Sequence, residues 1–167
     1  MIRSFVLVAA AWSAAAARAQ TAAPEFRPAA GWINSKPLKL AEQKGKVVVV
    51  HFWTHICSNC VANYPHFRAW QDKYPAGKDV VIVGIHTPEF QRDRNLDAIK
   101  AAAAKAKLKF PILVDNDNSN WDAWDNRYWP AAYLVDKQGK VRKKWEGELG
   151  AKGFAAMTKA IEELRAE

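Results

Sequence analysis

The sequence contains only two cysteines and four histidines among its 167 residues. A structural zinc site takes four ligands, usually from two Cys-x-x-Cys pairs, and only one such pair is present. Covalent haem attachment needs a histidine directly after the pair, where this chain has Val61. The formal net charge is +8, but no clustered Lys/Arg motif points to a nucleic-acid ligand. With zinc binding, haem attachment and nucleic-acid binding set aside, the thiol chemistry of the cysteine pair is the feature that indicates a function.

The N-terminal residues predict an export signal. A basic start at Arg3 is followed by an apolar stretch at residues 5–12 and by Ala-Arg-Ala at residues 17–19. The apolar stretch is too short to span a bilayer, and no cysteine follows the cleavage site to carry a lipid. The expected segments are a signal peptide at residues 1–19, a flexible lead-in at residues 20–28 and one domain at residues 29–167. We therefore expect a periplasmic protein that is soluble after cleavage, with an uncleaved N-terminal anchor as the alternative.

Both cysteines lie between a predicted strand and a predicted helix. Residues 47–52 include four consecutive valines, as in a strand buried on both faces, and spaced apolar residues after Cys60 predict a helix. A thiol at the first turn of a helix faces unpaired N–H groups and the positive end of the helix dipole, which favour the thiolate. Cys57 is therefore the candidate nucleophile, and Cys60 is the candidate resolving thiol. A static disulfide is the alternative, although so short a loop stabilises little.

The rest of the chain predicts an α/β domain. Further strands are predicted at residues 80–85, 110–115, 131–135 and 141–145, helices at residues 61–74, 96–107, 118–126 and 152–165, and an N-terminal hairpin at residues 32–40. A helix joins the first two long strands, so they should be parallel. The turn at Gly139 should make the last two strands antiparallel. We expect a mixed central sheet with helices on both faces and an N-terminal hairpin extension.

Several motifs together resemble the exported thioredoxin-like thiol–disulfide oxidoreductases of the TlpA/ResA-like group, and in particular the thioredoxin-like domain of DipZ-type proteins. The motifs are Trp53-Thr54 before Cys57-Ser58-Asn59-Cys60, Pro65 in the following helix, residues 84–90, and Trp129-Pro130 before a strand. The resemblance covers residues 26–165. It implies a thioredoxin fold, thiol–disulfide exchange without a cofactor or metal, and a cis peptide bond before Pro130.

The resemblance also implies which residues surround the dithiol. Pro130 is expected to shape a groove in which the substrate backbone pairs, with a trans proline that merely starts a strand as the alternative. Glu89 aligns approximately with the acid found near the cysteines in TlpA/ResA-like proteins and is the better candidate for a proton relay, with an exposed loop carboxylate as the alternative. His51 stands where thioredoxins have a buried aspartate. It either exchanges the proton of Cys60 near neutral pH or is a hydrogen-bonded core histidine. The catalytic candidates are Cys57, Cys60, Pro130, Glu89 and His51.

The function that this resemblance implies is that of an exported disulfide reductase. It would pass electrons from a membrane-linked thiol donor to oxidised exported proteins, with apocytochrome c as a family-implied substrate. A disulfide-donating oxidase is the alternative within the same chemistry, because the direction depends on a reduction potential that sequence does not reveal. A copper-binding chaperone with Cys57, Cys60 and His86 as soft ligands is the alternative from another class.

Overall fold

The computed structural model of the protein describes residues 21–28, 30–75 and 77–167. Its strands are β1 (Gly31–Ile33), β2 (Val47–Trp53), β3 (Val80–His86), β4 (Ile112–Val114), β5 (Ala131–Val135) and β6 (Val141–Glu146). Its helices are α1 (Ser58–Lys73), α2 (Leu96–Lys105), α3 (Ser119–Ala123) and α4 (Gly150–Ala166), with 3₁₀ turns at Leu40–Gln43 and Gln91–Arg94. The expected signal peptide at residues 1–19 lies outside the described residues.

The strands form one mixed sheet in the order β1-β4-β3-β2-β5-β6. β2 lies in the middle of this sheet, and all its residues are buried, as its run of valines predicts. It is parallel to β3 and antiparallel to β5, which in turn forms an antiparallel hairpin with β6. The predicted α/β class and mixed sheet are confirmed.

Alternation along β2 divides the core into two layers, because successive side chains of a strand point to opposite faces. Trp53 lies in the layer that contains apolar residues of α1, α2 and α4. Phe52 lies in the other layer, together with Trp124 beside α3 and Phe26 of the N-terminal segment. Helices therefore cover both faces of the sheet, as expected.

The expected N-terminal hairpin does not form. β1 instead pairs antiparallel with β4, with Trp32 opposite Leu113, and residues Leu40–Gln43 form a 3₁₀ turn. Pro37 lacks the N–H that a second hairpin strand would donate. An amide at the start of the 3₁₀ turn finds its acceptor outside the turn, because Ala41 N–H donates to the carboxylate of Glu25 at 2.9 Å.

Residues 21–28, expected to be flexible, are fastened to the domain. Ala22 forms a β-bridge with Lys140, and the amide of Arg27 donates to the side-chain oxygen of Asn120 at 2.8 Å. Phe26 is buried and packs against the second core layer. The Ala/Pro-rich composition predicts flexibility, but one buried aromatic and a few long-range hydrogen bonds are enough to hold this segment.

The topology gathers the candidate site residues at one edge of the sheet. Cys57 follows the carboxyl end of β2, and Glu89 follows the carboxyl end of the parallel strand β3. Pro130 precedes the amino end of β5, which meets the same edge because β5 is antiparallel to β2. Among the described residues, no helix is both long enough and apolar enough to cross a membrane.

Candidate active site

Cys57 occupies the N-cap position of α1. Its amide donates to the carbonyl of Thr54 at 3.4 Å, and its own carbonyl accepts the amide of Val61 at 3.0 Å. The thiol is half-buried, and its sulfur lies 4.0 Å from the carbonyl oxygen of Trp129. The turn after β2 therefore sets one accessible sulfur at the start of the helix, beside the loop that precedes β5.

Cys60 lies in the first turn of α1 and is fully buried. Burial raises the pKa of its thiol well above the usual range, and a main-chain hydrogen bond from Thr54 offsets only part of this rise. The negative charge of Glu89 raises the same pKa further. Both cysteines are free thiols. Cys60 therefore stays protonated in the reduced protein until a base removes its proton.

Glu89 is an exposed residue in the loop after β3. Its amide and that of Phe90 donate to one carboxylate oxygen of the buried Asp93, at 3.2 and 2.9 Å, which fixes the course of the loop. The carboxylate of Glu89 is near enough to Cys60 to raise the pKa of that thiol. Glu89 thus acts on Cys60 through its charge, whereas its role as a proton relay stays a prediction.

His51 is fully buried on β2, and its ring stacks on Phe67 of α1 with centroids 3.8 Å apart and planes at 13°. Neither ring nitrogen has a hydrogen-bond partner among the described residues. Burial lowers the pKa of His51 to about 3, because the charged form loses its hydration. His51 therefore does not titrate near neutral pH, contrary to expectation, and it is not a hydrogen-bonded core histidine either. Its catalytic role stays a prediction.

The Trp129–Pro130 peptide bond is cis, the configuration that the resemblance implies. The indole of Trp129 stacks on Trp121 with centroids 3.9 Å apart and planes at 28°. Its N–H donates to the carbonyl of Thr87 at 3.0 Å. These contacts hold the loop beside Cys57, and the predicted pairing of the Pro130 loop with a substrate backbone stays a prediction.

A pair of histidines borders the site. Nδ1 of His55 and Nε2 of His86 are 3.0 Å apart, and the amide of His55 donates to the same nitrogen of His86 at 3.3 Å. Burial lowers the pKa of His86 to about 3, and burial also lowers the pKa of His55, against the opposing charge of Asp93. No local motif indicates this contact, because the two residues are 31 positions apart.

The histidine pair gives no support to the copper hypothesis. Nε2 of His86 is already hydrogen-bonded to His55. Throughout the described part of the chain, no group of three or more His, Cys, Asp or Glu side chains is arranged to hold a metal ion.

Tyr64 is a site residue that the sequence analysis missed. It lies one helical turn after Cys60, so the two side chains are neighbours on one face of α1. Burial raises the pKa of the Tyr64 phenol first, and the nearby sulfurs of Cys60 and Cys57 raise it further. The i, i+4 spacing from the second cysteine was the signal that could have identified it.

Large apolar side chains that remain exposed lie around the dithiol. They are Ile56, Val61, Phe90 and Tyr128, which are 40% to 54% exposed and are called the apolar rim below. Two of them flank the cysteine motif, one follows Glu89 and one precedes Trp129. Exposed apolar surface of this kind marks interaction sites in soluble proteins.

The fold and this site have counterparts among known proteins. Residues 19–144 match the AhpC/TSA family. The chain belongs to this family. Protein DipZ of Mycobacterium tuberculosis is 38% identical over 131 residues, which are 75% of this chain and 18% of DipZ. Thiol-disulfide oxidoreductase YkuV of Bacillus subtilis is 30% identical over 144 residues, 86% of this chain and 94% of YkuV.

A solved thioredoxin-like protein in its oxidised form has the same fold, with a TM-score of 0.76 at 29% identity over 88% of this chain and 96% of its own. The expected resemblance and the thioredoxin-like fold are therefore confirmed. The chain spans less than a fifth of DipZ, 18% of its length. What the whole of DipZ does is therefore carried over only as a proposal.

Proposed function

We propose that the protein is an exported disulfide reductase that acts through the Cys57–Cys60 dithiol. The observation that carries this proposal is the contrast between an accessible Cys57 sulfur at the start of α1 and a buried, protonated Cys60 one turn later. An exposed thiol can attack a partner, and a shielded thiol can resolve the product.

The reaction has two exchanges. The Cys57 thiolate attacks a substrate disulfide, which forms a mixed disulfide and releases one substrate thiolate. Cys60 then loses its proton and attacks the sulfur of Cys57, which closes the Cys57–Cys60 disulfide and releases the second substrate thiolate. Two electrons pass from the dithiol to the substrate, and the two protons of the dithiol end on the two substrate thiols.

The resemblance to TlpA/ResA-like proteins supports reduction over oxidation. Strongly oxidising proteins of this chemistry stabilise a thiolate in their reduced form. At Cys60, burial and the Glu89 carboxylate both disfavour a thiolate, so this sulfur contributes no such stabilisation. The direction itself is set by the reduction potential of the Cys57–Cys60 couple.

The substrate and the electron donor are proposed on chemical grounds. The apolar rim around Cys57 suits a polypeptide surface better than a small hydrophilic disulfide. The signal-like residues 1–19 and the resemblance to TlpA/ResA-like proteins support oxidised exported proteins as substrates, apocytochrome c among them. An oxidising compartment requires a dedicated donor, and a membrane-linked thiol protein is the proposed one.

The reduction potential of the Cys57–Cys60 couple tests the direction. Equilibration against defined thiol buffers should give a value near that of thioredoxin, about −270 mV, or below it. A potential near that of DsbA, about −120 mV, would make the protein an oxidase.

Trapping tests the two cysteine roles. Cys60→Ser should accumulate mixed disulfides with attacked proteins, because the resolving thiol is gone, and Cys57→Ser serves as the matched control that should accumulate none. Non-reducing gels and mass spectrometry identify the linked cysteine. Capture by Cys57→Ser alone would reverse the assignment.

A further inference from the structure

The indole of Trp129 is held in a fixed orientation. Trp121 covers one of its faces, and the carbonyl of Thr87 accepts its N–H, so stacking and a directed hydrogen bond both fix it. The main-chain carbonyl of the same residue lies 4.0 Å from the sulfur of Cys57. Because the main chain of Trp129 adjoins the reacting sulfur and its side chain is only half-buried, the indole belongs to the surface that a partner joined to Cys57 meets.

One buried carboxylate fastens both supports of Trp129. An oxygen of Asp115 accepts the hydroxyl of Thr87 at 3.0 Å and the amide of Trp121 at 2.9 Å. Its other oxygen accepts the amide of Asn120 at 2.9 Å, which secures the start of α3. Asp115 is fully buried, so these charge-assisted hydrogen bonds are shielded from water. The indole of Trp129 is therefore preorganised in one orientation.

The surface beside the Trp129 indole is expected to bind the substrate segment whose disulfide reacts with Cys57. A segment that presents a disulfide to Cys57 passes Trp129, whose carbonyl lies 4.0 Å from the sulfur, and the exposed Tyr128 of the apolar rim directly precedes Trp129. Charge gives this surface no net preference, since the exposed Glu89 and the guanidinium of Arg92, 4.9 Å from the ring of Phe90, have opposite signs.

We propose that Trp129 is a specificity-determining residue that selects protein disulfides in which an apolar or aromatic side chain flanks the reacting cysteine. This inference rests on the proposed disulfide-reductase function and names its substrate class. An aromatic side chain against the indole gains buried apolar area and ring contacts, whereas a polar side chain loses hydration there without a partner. The expected preference is about tenfold in the rate constant.

The test uses the reduced full-length protein and three disulfides. Two are disulfide-linked dimers of a short amidated peptide, identical except that phenylalanine or serine flanks the cysteine. The third is bis(2-hydroxyethyl) disulfide, which has no side chain beside the reacting sulfur. Second-order rate constants are obtained by quantifying the released thiols, because tryptophan fluorescence would change with the substitutions themselves.

The wild-type protein should reduce the phenylalanine peptide about tenfold faster than the serine peptide. Trp129→Ala should bring the two peptide rates together when each is expressed relative to the rate of the same variant with the small disulfide. Trp129→Phe retains a ring but not the N–H that binds Thr87, so it should keep part of the preference. Trp32→Ala removes another half-buried indole in β1, far from the dithiol, and should keep all of it.

Equal peptide rates in the wild-type protein would overturn the inference and leave the reductase function standing. An unchanged preference in Trp129→Ala, or a uniform loss with all three disulfides, would also overturn it. Failure of the wild-type protein to reduce any of the three would instead remove the proposed function on which the inference rests.

Discussion

A buried neutral histidine makes the stability of this protein depend on pH in the acid range. The pKa of His51 is lowered by burial from 6.5 to about 3 in the folded protein. Between these values the unfolded chain binds a proton that the folded protein does not bind, so lowering the pH favours unfolding. The stability that neutral His51 contributes is fully present above the unfolded pKa of 6.5 and is lost progressively as the pH falls from there towards the folded pKa of about 3.

The magnitude follows from the two pKa values. At pH 5 the unfolded histidine is 1.5 units below its ordinary pKa of 6.5, and at about 1.4 kcal/mol per unit the free energy of unfolding falls by about 2 kcal/mol. His86, whose pKa burial also lowers to about 3, adds a similar loss. A domain of this size has a total stability of roughly 5–15 kcal/mol, so the two histidines together are a large fraction.

The assay compares wild-type protein with His51→Asn, which keeps a polar side chain but cannot titrate. Urea unfolding under reducing conditions at pH 7 and pH 5 gives the free energy lost between these conditions for each protein. The wild-type loss should exceed that of His51→Asn by about 2 kcal/mol. Cys60 and Tyr64 in the same layer do not interfere, because burial raises their pKa values away from this range.

His66→Asn is the matched control, since His66 is a histidine on α1 that is only half-buried. Its removal should change the acid-induced loss by much less than the removal of His51. Equal losses in the wild-type protein and His51→Asn would refute the reasoning, because His51 would then take up protons equally in the folded and unfolded states.

Two further substitutions test the site and the packing beneath it. Glu89→Gln should lower the pKa of Cys60, because the charge that raises it is removed. If Glu89 is the relay, the variant should also resolve the mixed disulfide more slowly at neutral pH, and this defect should shrink at alkaline pH. Stopped-flow rates measured across pH distinguish a relay from a residue that has no such role. Gly84→Ala should destabilise by about 1–3 kcal/mol, because a Cβ there would lie 3.0 Å from the indole nitrogen of Trp53, whereas Gly31→Ala, with nothing within 4 Å, should be tolerated. Equal urea midpoints for these two alanine variants would contradict the packing argument.

The parts of the fold that were predicted correctly are those encoded by local pattern. The valine run of β2 and the similar run of β3 fix buried parallel strands, and residues 131–135 match β5 as observed. The N-terminal hairpin was wrong because Trp32 finds its partner in Leu113, far along the chain, where local periodicity carries no information. Residues 21–28 were misjudged for the same reason.

The candidate site divides in a similar way. The cysteine spacing and the position after β2 were legible in the sequence, as was the position of Glu89 after β3. The hydrogen bond from the indole of Trp129 reaches the carbonyl of Thr87, 42 positions away along the chain. The lack of hydrogen-bond partners for the His51 ring results from the side chains that pack around it. Contacts of this range follow from the assembled sheet, and no local motif encodes them.

Glu89 is a better candidate than His51 for the base that takes the proton from Cys60. His51 is fully buried with a pKa of about 3, so it is a weak base at neutral pH. Glu89 is exposed in the free protein, and a partner that covers the apolar rim would exclude water, the competing proton acceptor, from its surroundings. We therefore expect Glu89 to matter most in a mixed disulfide with a protein substrate.

The difference between free and partner-bound protein predicts which substrates make the role of Glu89 measurable. Glu89→Gln should slow the resolution of a mixed disulfide with a folded protein substrate more than the resolution of one with bis(2-hydroxyethyl) disulfide, which leaves the carboxylate in water. Single-turnover rates at pH 7 for the wild-type protein and the variant give the two ratios, with His51→Asn as the matched control that should show no such difference. Equal slowing with both substrates would mean that docking does not change the part played by Glu89, and no slowing with either would mean that solvent is the acceptor.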